Sequence, residues 1–423
     1  MSKGVDELCY NAPFFLPVFA AGNDRNGVFV GGQSVLLNSF KNGYDLLTHQ
    51  SIAKNAVVVA AVQGITNYTS TNVFENNVTM SNFSAWGPTD DYRIKPDISS
   101  KGVNVYSSIA LSDSSYSIFS GTSMAAPAVT GVFSLWQQYH NVLWPNANNN
   151  SGFMKSASLK ALMAHTASEC GDAEGPDPKF GWGLINAEEG VKILKKANED
   201  QAIFKELTLE NGETYDFFIT IDGTDILTAS IAWTDTFSES VTIAESHVPL
   251  LNNDLDLRIV KLDNNQTILP WRLNKSWSNL YALRGDNDVD PIEKITYYNP
   301  NTLKAEPGNY KVSINHKNIL EEPMNFTIII SGGLIDYSQV VDLNVFTMDN
   351  LKVFPNPVQD ILNFNNNNFD KIELYDLSGK KISFDSNVTD DFIQINMNHL
   401  NTGLYFLKLS KNSQSKTFKI IKK

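Results

Sequence analysis

Residues 119–131 read FSGTSMAAPAVTG, and the first half of the chain is best understood from this stretch. Gly121 allows a tight bend. The apolar spacing of Val129, Val132, Phe133, Trp136, Tyr139 and Val142 predicts a helix behind it. Ser123 then opens that helix, where free backbone N–H groups and the positive helix end face an anion. Ala125 and Ala126 keep the first turn thin enough for a substrate backbone to approach. Pro127 is tolerated because first-turn N–H groups have no helical partner. One reading makes Ser123 a helix N-cap. The other makes it a nucleophile, which needs a neighbouring base and a cage of dipoles for an oxyanion.

The flanking sequence supplies a scaffold. PFFLPVFAAGN (13–23) and AVVVAAV (56–62) are short apolar runs, as expected of strands buried on both faces of a parallel sheet. Further helices are expected at 156–167 and 187–198. Strands alternating with helices give an α/β layer over residues 1–198. From 203 to 335 the pattern changes to alternating strands such as YDFFITI (215–221) and LDLRIVKL (255–262), separated by NG, DG and PG turns. That is an antiparallel sandwich or jelly roll. A linker is expected at 336–350, and residues 351–423 form a second, smaller all-β sandwich.

The chain has 423 residues, net charge −13 and pI about 4.9, which argues against a nucleic-acid partner. Two cysteines, Cys9 and Cys170, are too few for a disulfide scaffold and read as ordinary thiols. No apolar run reaches the ~20 residues of a membrane span. Asp6 and Glu7 stand where a secretory signal carries positive charge, so no export signal is expected at the front.

GTSMAAP resembles the serine signature of the subtilisin-like serine proteases, the subtilases (peptidase S8). AAGND resembles that family's oxyanion segment, with Asn23 in the place of the asparagine. KNAVVVAAV (54–62), FSAWGPTDDYRIKPDISSKG (83–102) and GPDPKFGWGLINA (175–187) follow in the family's order, so the resemblance spans roughly 10–190. It implies a serine endopeptidase acting on proteins or peptides, with Ser123 as nucleophile and Asn23 as oxyanion donor. Tyr92 departs from the pattern, because the family places Gly there.

The larger departure is the base. The family carries its catalytic Asp and His ahead of the oxyanion segment, and the 22 residues before Asn23 contain no histidine. His140 lies 17 residues along the serine helix, about 25 Å away at 1.5 Å per residue. His49, His165, His247, His316 and His399 match no catalytic motif. The expectation is an N-terminally truncated copy, inactive as given. The alternative is a non-catalytic secreted or surface binding protein derived from a subtilase.

Residues 203–335 resemble the β-sandwich that follows the catalytic domain in some subtilases, on SIAWTDTF (230–237), NNDLDLRIV (252–260) and EPGNYKVSI (306–314). No cofactor is required by this reading. A structural calcium is suggested by the alternating Asp286, Asp288 and Asp290, with a solvated acidic loop as the alternative. Residues 351–423, with VFPNPVQDIL, IELYDLSGKKI and LNTGLYFLKL, resemble the type IX secretion C-terminal sorting domain. That resemblance implies the type IX machinery as partner and a secreted or cell-surface location.

Overall fold

The computed structural model describes residues 1–30, 33–65, 77–239, 243, 245–332, 342–344, 353–365, 369–388, 392–411 and 414–423. They fall into two units, Met1–Asp342 and Leu343–Lys423. Most of the linker expected at 336–350 lies outside the described residues.

The first unit begins with a helix, Ser2–Asn11, that sequence patterning does not reveal. Its residues are mostly polar, and it is pinned by a buried carboxylate: Asp6 accepts from the backbone N–H groups of Asn55 (2.8 Å) and Lys54 (3.3 Å). Three parallel strands follow, in the order Val18–Ala20, Val57–Val62, Ile98–Lys101. Every residue of Val57–Val62 is buried, as an uninterrupted apolar run in a central strand requires. Val18–Ala20 pairs on one side only, so among the described residues the sheet ends there with an open edge.

Helix Thr122–Leu143 lies on this sheet. Its Ala125, Val129, Phe133 and Trp136 share a core with Val57, Val59 and Ala61. Each large apolar side chain buried this way contributes ~1.5–3 kcal/mol. A buried pair braces the sheet from inside. Lys95 Nζ meets Asp97 at 2.6 Å and Ala56 O at 2.7 Å, while Asp97 accepts from Val58 N–H at 2.7 Å. Helices Ser156–Thr166 and Ala187–Asn198 complete the layer at the places expected.

The sandwich has one four-stranded sheet, in the order Ile292–Tyr297, Leu227–Trp233, Met324–Ser331, Ile203–Leu209. Opposite it, Leu255–Lys261, Gly308–His316 and Tyr215–Ile221 are neighbours in an antiparallel sheet. The boundary expected near 198–203 is crossed by packing. Ala232, Ile292 and Ile329 belong to the core of the α/β layer. Lys54 forms a buried 2.5 Å ion pair with Asp235, and buried Lys160 donates to Trp233 O at 2.8 Å. The layer and the sandwich are therefore one body.

Tyr92, where the family has Gly, adopts φ 64. This left-handed backbone costs an ordinary residue ~1–2 kcal/mol. Its ring is buried against His247 (4.9 Å) and Trp277 (5.6 Å), which offsets the strain.

The second unit has two antiparallel sheets around Leu362, Phe364, Leu374, Ile395, Leu407 and Ile420. The final hairpin pairs Gly403–Lys411 with Gln414–Lys422 in unbroken register. Asn356, the middle residue of the PNP run, spans the end of that last strand. Its side chain donates to Lys419 O (2.7 Å) and accepts from Ile421 N–H (3.0 Å).

Candidate active site

Asn23 and Thr122, the residue before Ser123, are 99 positions apart and hydrogen-bonded just beyond the first strand of the parallel sheet. The first strand runs straight into Ala21-Gly22-Asn23, with Ala21 N–H still bonded to Val59 O at 3.0 Å. Gly22 turns the chain at φ 121, and a Cβ there would lie 3.3 Å from that of Ala85. From the other side, Gly121 N–H donates to Gly102 O at 2.8 Å and sets the helix start. A Cβ on Gly102 would fall 2.6 Å from Ala61 Cβ and 2.7 Å from Gly121 O, so only glycine fits the close approach.

Thr122 joins the two segments. Its backbone N–H donates to Asn23 Oδ1 at 2.8 Å and its hydroxyl donates to the same oxygen at 2.9 Å. The hydroxyl also accepts from Gly22 N–H at 3.2 Å. A backbone N–H can only donate, so the asparagine atom it meets is the oxygen. The amide N–H₂ must then face away from Thr122. It has no acceptor among the described residues, and neither Asn23 nor Ser123 is buried. Asn23 is thus tied to the first residue of helix Thr122–Leu143, in which Ser123 comes second, and both Asn23 and Ser123 are exposed. Sequence reasoning passed over Thr122, although its place between Gly121 and Ser123 was the available signal.

The described histidines are all engaged elsewhere. His140 is buried, with Nδ1 2.9 Å from Gly152 O, and burial lowers its pKa. His165 lies between the hydroxyls of Ser230 (3.0 Å) and Ser331 (2.8 Å), and burial drives its pKa well down. His247 contacts Asp90 O at 2.7 Å, and His316 accepts from Gly212 N–H at 2.6 Å. His49 bonds Thr48, and His399 approaches Ser383 O. None bonds Ser123.

Asp286, Asp288 and Asp290 do not converge. Asp286 pairs with Arg258 and with Lys317 (2.7 Å), and Asp288 pairs with Lys275 (2.6 Å). Asp290 turns inward to accept from Ile94 N–H at 2.8 Å and Asn287 Nδ2 at 3.1 Å. Burial pushes the Asp290 carboxyl up to about 7. Among the described residues, Asp45, Asp90 and Glu245 bring ligand oxygens within 4.8 Å of one another. Lys41 already bridges Asp45 (2.6 Å) and Glu245 (2.5 Å).

Residues 2–183 match the subtilase family, and residues 352–423 match the secretion system C-terminal sorting domain. The chain therefore carries a subtilase domain followed, at its C-terminus, by a type IX sorting domain, which marks it for the cell surface or the medium. C5a peptidase of Streptococcus pyogenes is 43% identical over 67 residues, 16% of this chain and 6% of that protein. Pyrolysin of Pyrococcus furiosus is 29% identical over 207 residues, 47% of this chain and 14% of the relative. The serine protease/ABC transporter B family protein tagA of Dictyostelium discoideum is 26% identical over 282 residues, 59% and 15% respectively. The chain thus spans a small part of each relative's length. Among solved structures, the PatG macrocyclase domain aligns with TM-score 0.30 and 19% identity, over 45% of this chain and 46% of that one.

Proposed function

We propose that this chain is the nucleophile-bearing part of a secreted serine endopeptidase of the subtilisin type, acting on proteins or peptides. The observation that carries the reading is the Thr122 clasp. It turns the Asn23 amide N–H₂ away from Thr122, which supports a reading in which that amide serves the same carbonyl that Ser123 attacks. In acyl transfer, Ser123 Oγ adds to the scissile carbonyl. The oxygen that gains charge is met by the Asn23 N–H₂ and the Ser123 backbone N–H. Such donors act without reorganising when the charge appears.

The proton of Ser123 must go to a base that the described residues do not place there. We assign that base, and the carboxylate that orients it, to a segment outside this sequence. Two features support the assignment. Strand Val18–Ala20 has an edge that no other described strand pairs. Beside it a groove of about 780 Å³ runs along the serine helix, lined by Phe14, Val18, Phe133, Val142 and Phe153. Phe14, Val142 and Phe153 are substantially exposed there, an apolar surface that calls for a covering element.

The test joins a segment carrying the family's Asp and His motifs ahead of residue 1 and measures peptide hydrolysis. The reading expects cleavage that Ser123→Ala abolishes, and none from residues 1–423 alone. A folded, extended chain with no hydrolysis, or hydrolysis indifferent to Ser123→Ala, would overturn it.

A further inference from the structure

The last strand of the sorting domain, Gln414–Lys422, stands at the edge of its sheet, with Gly403–Lys411 as its only strand partner among the described residues. The direction of its outer hydrogen-bonding groups can be read from the PNP contacts. Lys419 O and Ile421 N–H face outward to Asn356. Ile421 O and Lys423 N–H face outward to Val358, at 2.8 and 2.9 Å. Odd-numbered residues therefore turn their backbone groups away from the sheet. The register has no bulge, so the same holds for Ser415 and Thr417. The segment around Asn356 and Val358 covers the edge from Lys419 onward. The N–H and C=O of Ser415 and Thr417 and the N–H of Lys419 have no partner among the described residues.

Charge marks the same sheet. Every lysine after position 353 lies in or beside its four strands, and the opposing sheet's strands carry none. On its outer face Lys408 stands opposite Thr417, and Lys419 opposite Phe406. Ser415, Thr417 and Lys419 are exposed.

We infer that the stretch Ser415–Lys419 is a docking edge for an extended acidic peptide strand of the export machinery, added to the sheet in line with the PNP segment. An open row of backbone donors and acceptors is matched by another backbone, which gives affinity through main-chain hydrogen bonds. A lipid surface offers no such partner for the edge. Lysines along the row favour acidic side chains on the incoming strand. Lysines on an exposed edge also discourage self-pairing, which suits an edge reserved for one partner.

The experiment uses the full chain behind a periplasmic signal peptide in a type IX-competent bacterium, comparing the fraction reaching the medium or surface with that retained in the periplasm. Thr417→Pro removes one outward N–H and breaks none of the hairpin's own hydrogen bonds, because proline is tolerated where a strand's N–H faces solvent. Thr417→Val changes the side chain and keeps the N–H. The inference expects Thr417→Pro to lower export at least tenfold, with an unchanged melting temperature for the sorting domain, and Thr417→Val to export like the parent. Lys408→Glu with Lys419→Glu should lower export as well, and the corresponding Gln pair should do so less. Export of Thr417→Pro at the parental level overturns the inference. So does equal loss with Thr417→Val, which points to side-chain recognition. Deleting 353–423 reports separately on whether the domain directs export at all.

Discussion

Thr122 carries more of the proposed chemistry than its neighbours suggest. Its backbone N–H fixes which end of the Asn23 amide it meets, and its fully buried hydroxyl adds a second bond to the same oxygen. Thr122→Val removes the hydroxyl and keeps the backbone N–H, so one of the two bonds to Asn23 survives. In the extended, active protease we expect kcat to fall about tenfold, ~1.4 kcal/mol, with KM little changed. Asn23→Ala should cost ~10²–10³-fold, the loss measured for one oxyanion donor in subtilisin. Steady-state kinetics on one peptide decide both, and a Thr122→Val enzyme with parental kcat contradicts the clasp. Asp290 gives a pH prediction. Burial holds its carboxyl at about 7, against hydrogen bonds from Ile94 and Asn287 that pull the other way. Between about pH 4 and 7 the folded chain keeps a proton that the unfolded chain has released. Folding therefore takes up a proton there, and stability falls as pH rises. Asp290→Asn cannot titrate, so its urea midpoint should fall less than the parent's between pH 5 and 7. Parallel pH profiles would contradict this. The alternation of Asp286, Asp288 and Asp290 suggested one shared ligand. What the sequence could not show was Arg258, Lys317, Lys275 and Ile94, which draw the three carboxylates apart.

Local structure was legible wherever burial leaves a periodic trace. Val57–Val62 is apolar at every position because a strand covers each side of it and packing covers both faces. The serine helix declared itself through its 3.6-residue stripe. Ser2–Asn11 left no such trace, since Asp6 and Cys9 are its buried residues and hydrogen bonds fix it in place. The convergence of the 22–23 turn with the 121–123 turn was legible only through family resemblance, because it depends on Gly102 letting two backbones approach. Gly102→Ala should force Ala61 and Gly121 apart and cost ~1–3 kcal/mol. It should also lower kcat of the extended protease more than a surface substitution of equal stability cost. Thermal melts paired with kinetics check this, and unaltered activity would show that the approach is not needed. Tyr92→Gly exchanges backbone relief for lost aromatic packing. We expect a net loss of ~1–2 kcal/mol, since burying a large aromatic outweighs one left-handed residue. A stabilised variant would show the reverse.

The division of labour along the polypeptide follows from where its cores lie. The α/β layer and the first sandwich share buried contacts, including Lys54–Asp235, so they should unfold together. The sorting domain has its own core around Leu362, Leu374 and Leu407. Calorimetry should therefore resolve two transitions, and removing 353–423 should delete one of them. A single transition lost as a whole on that deletion would contradict two separate cores. The sequence pattern changes near residue 203, and buried contacts cross that point. Composition reports strand pattern, and it does not report which apolar faces end up packed together. The proposed catalysis requires Asn23 and Ser123 to serve one and the same acyl group. Its most direct test is to react the extended protease with a fluorophosphonate and map the adduct by mass spectrometry. The account predicts phosphonylation of Ser123 alone, slowed by Asn23→Ala and absent in Ser123→Ala. A folded, extended protein that stays unlabelled, or takes the label at another residue, would contradict it.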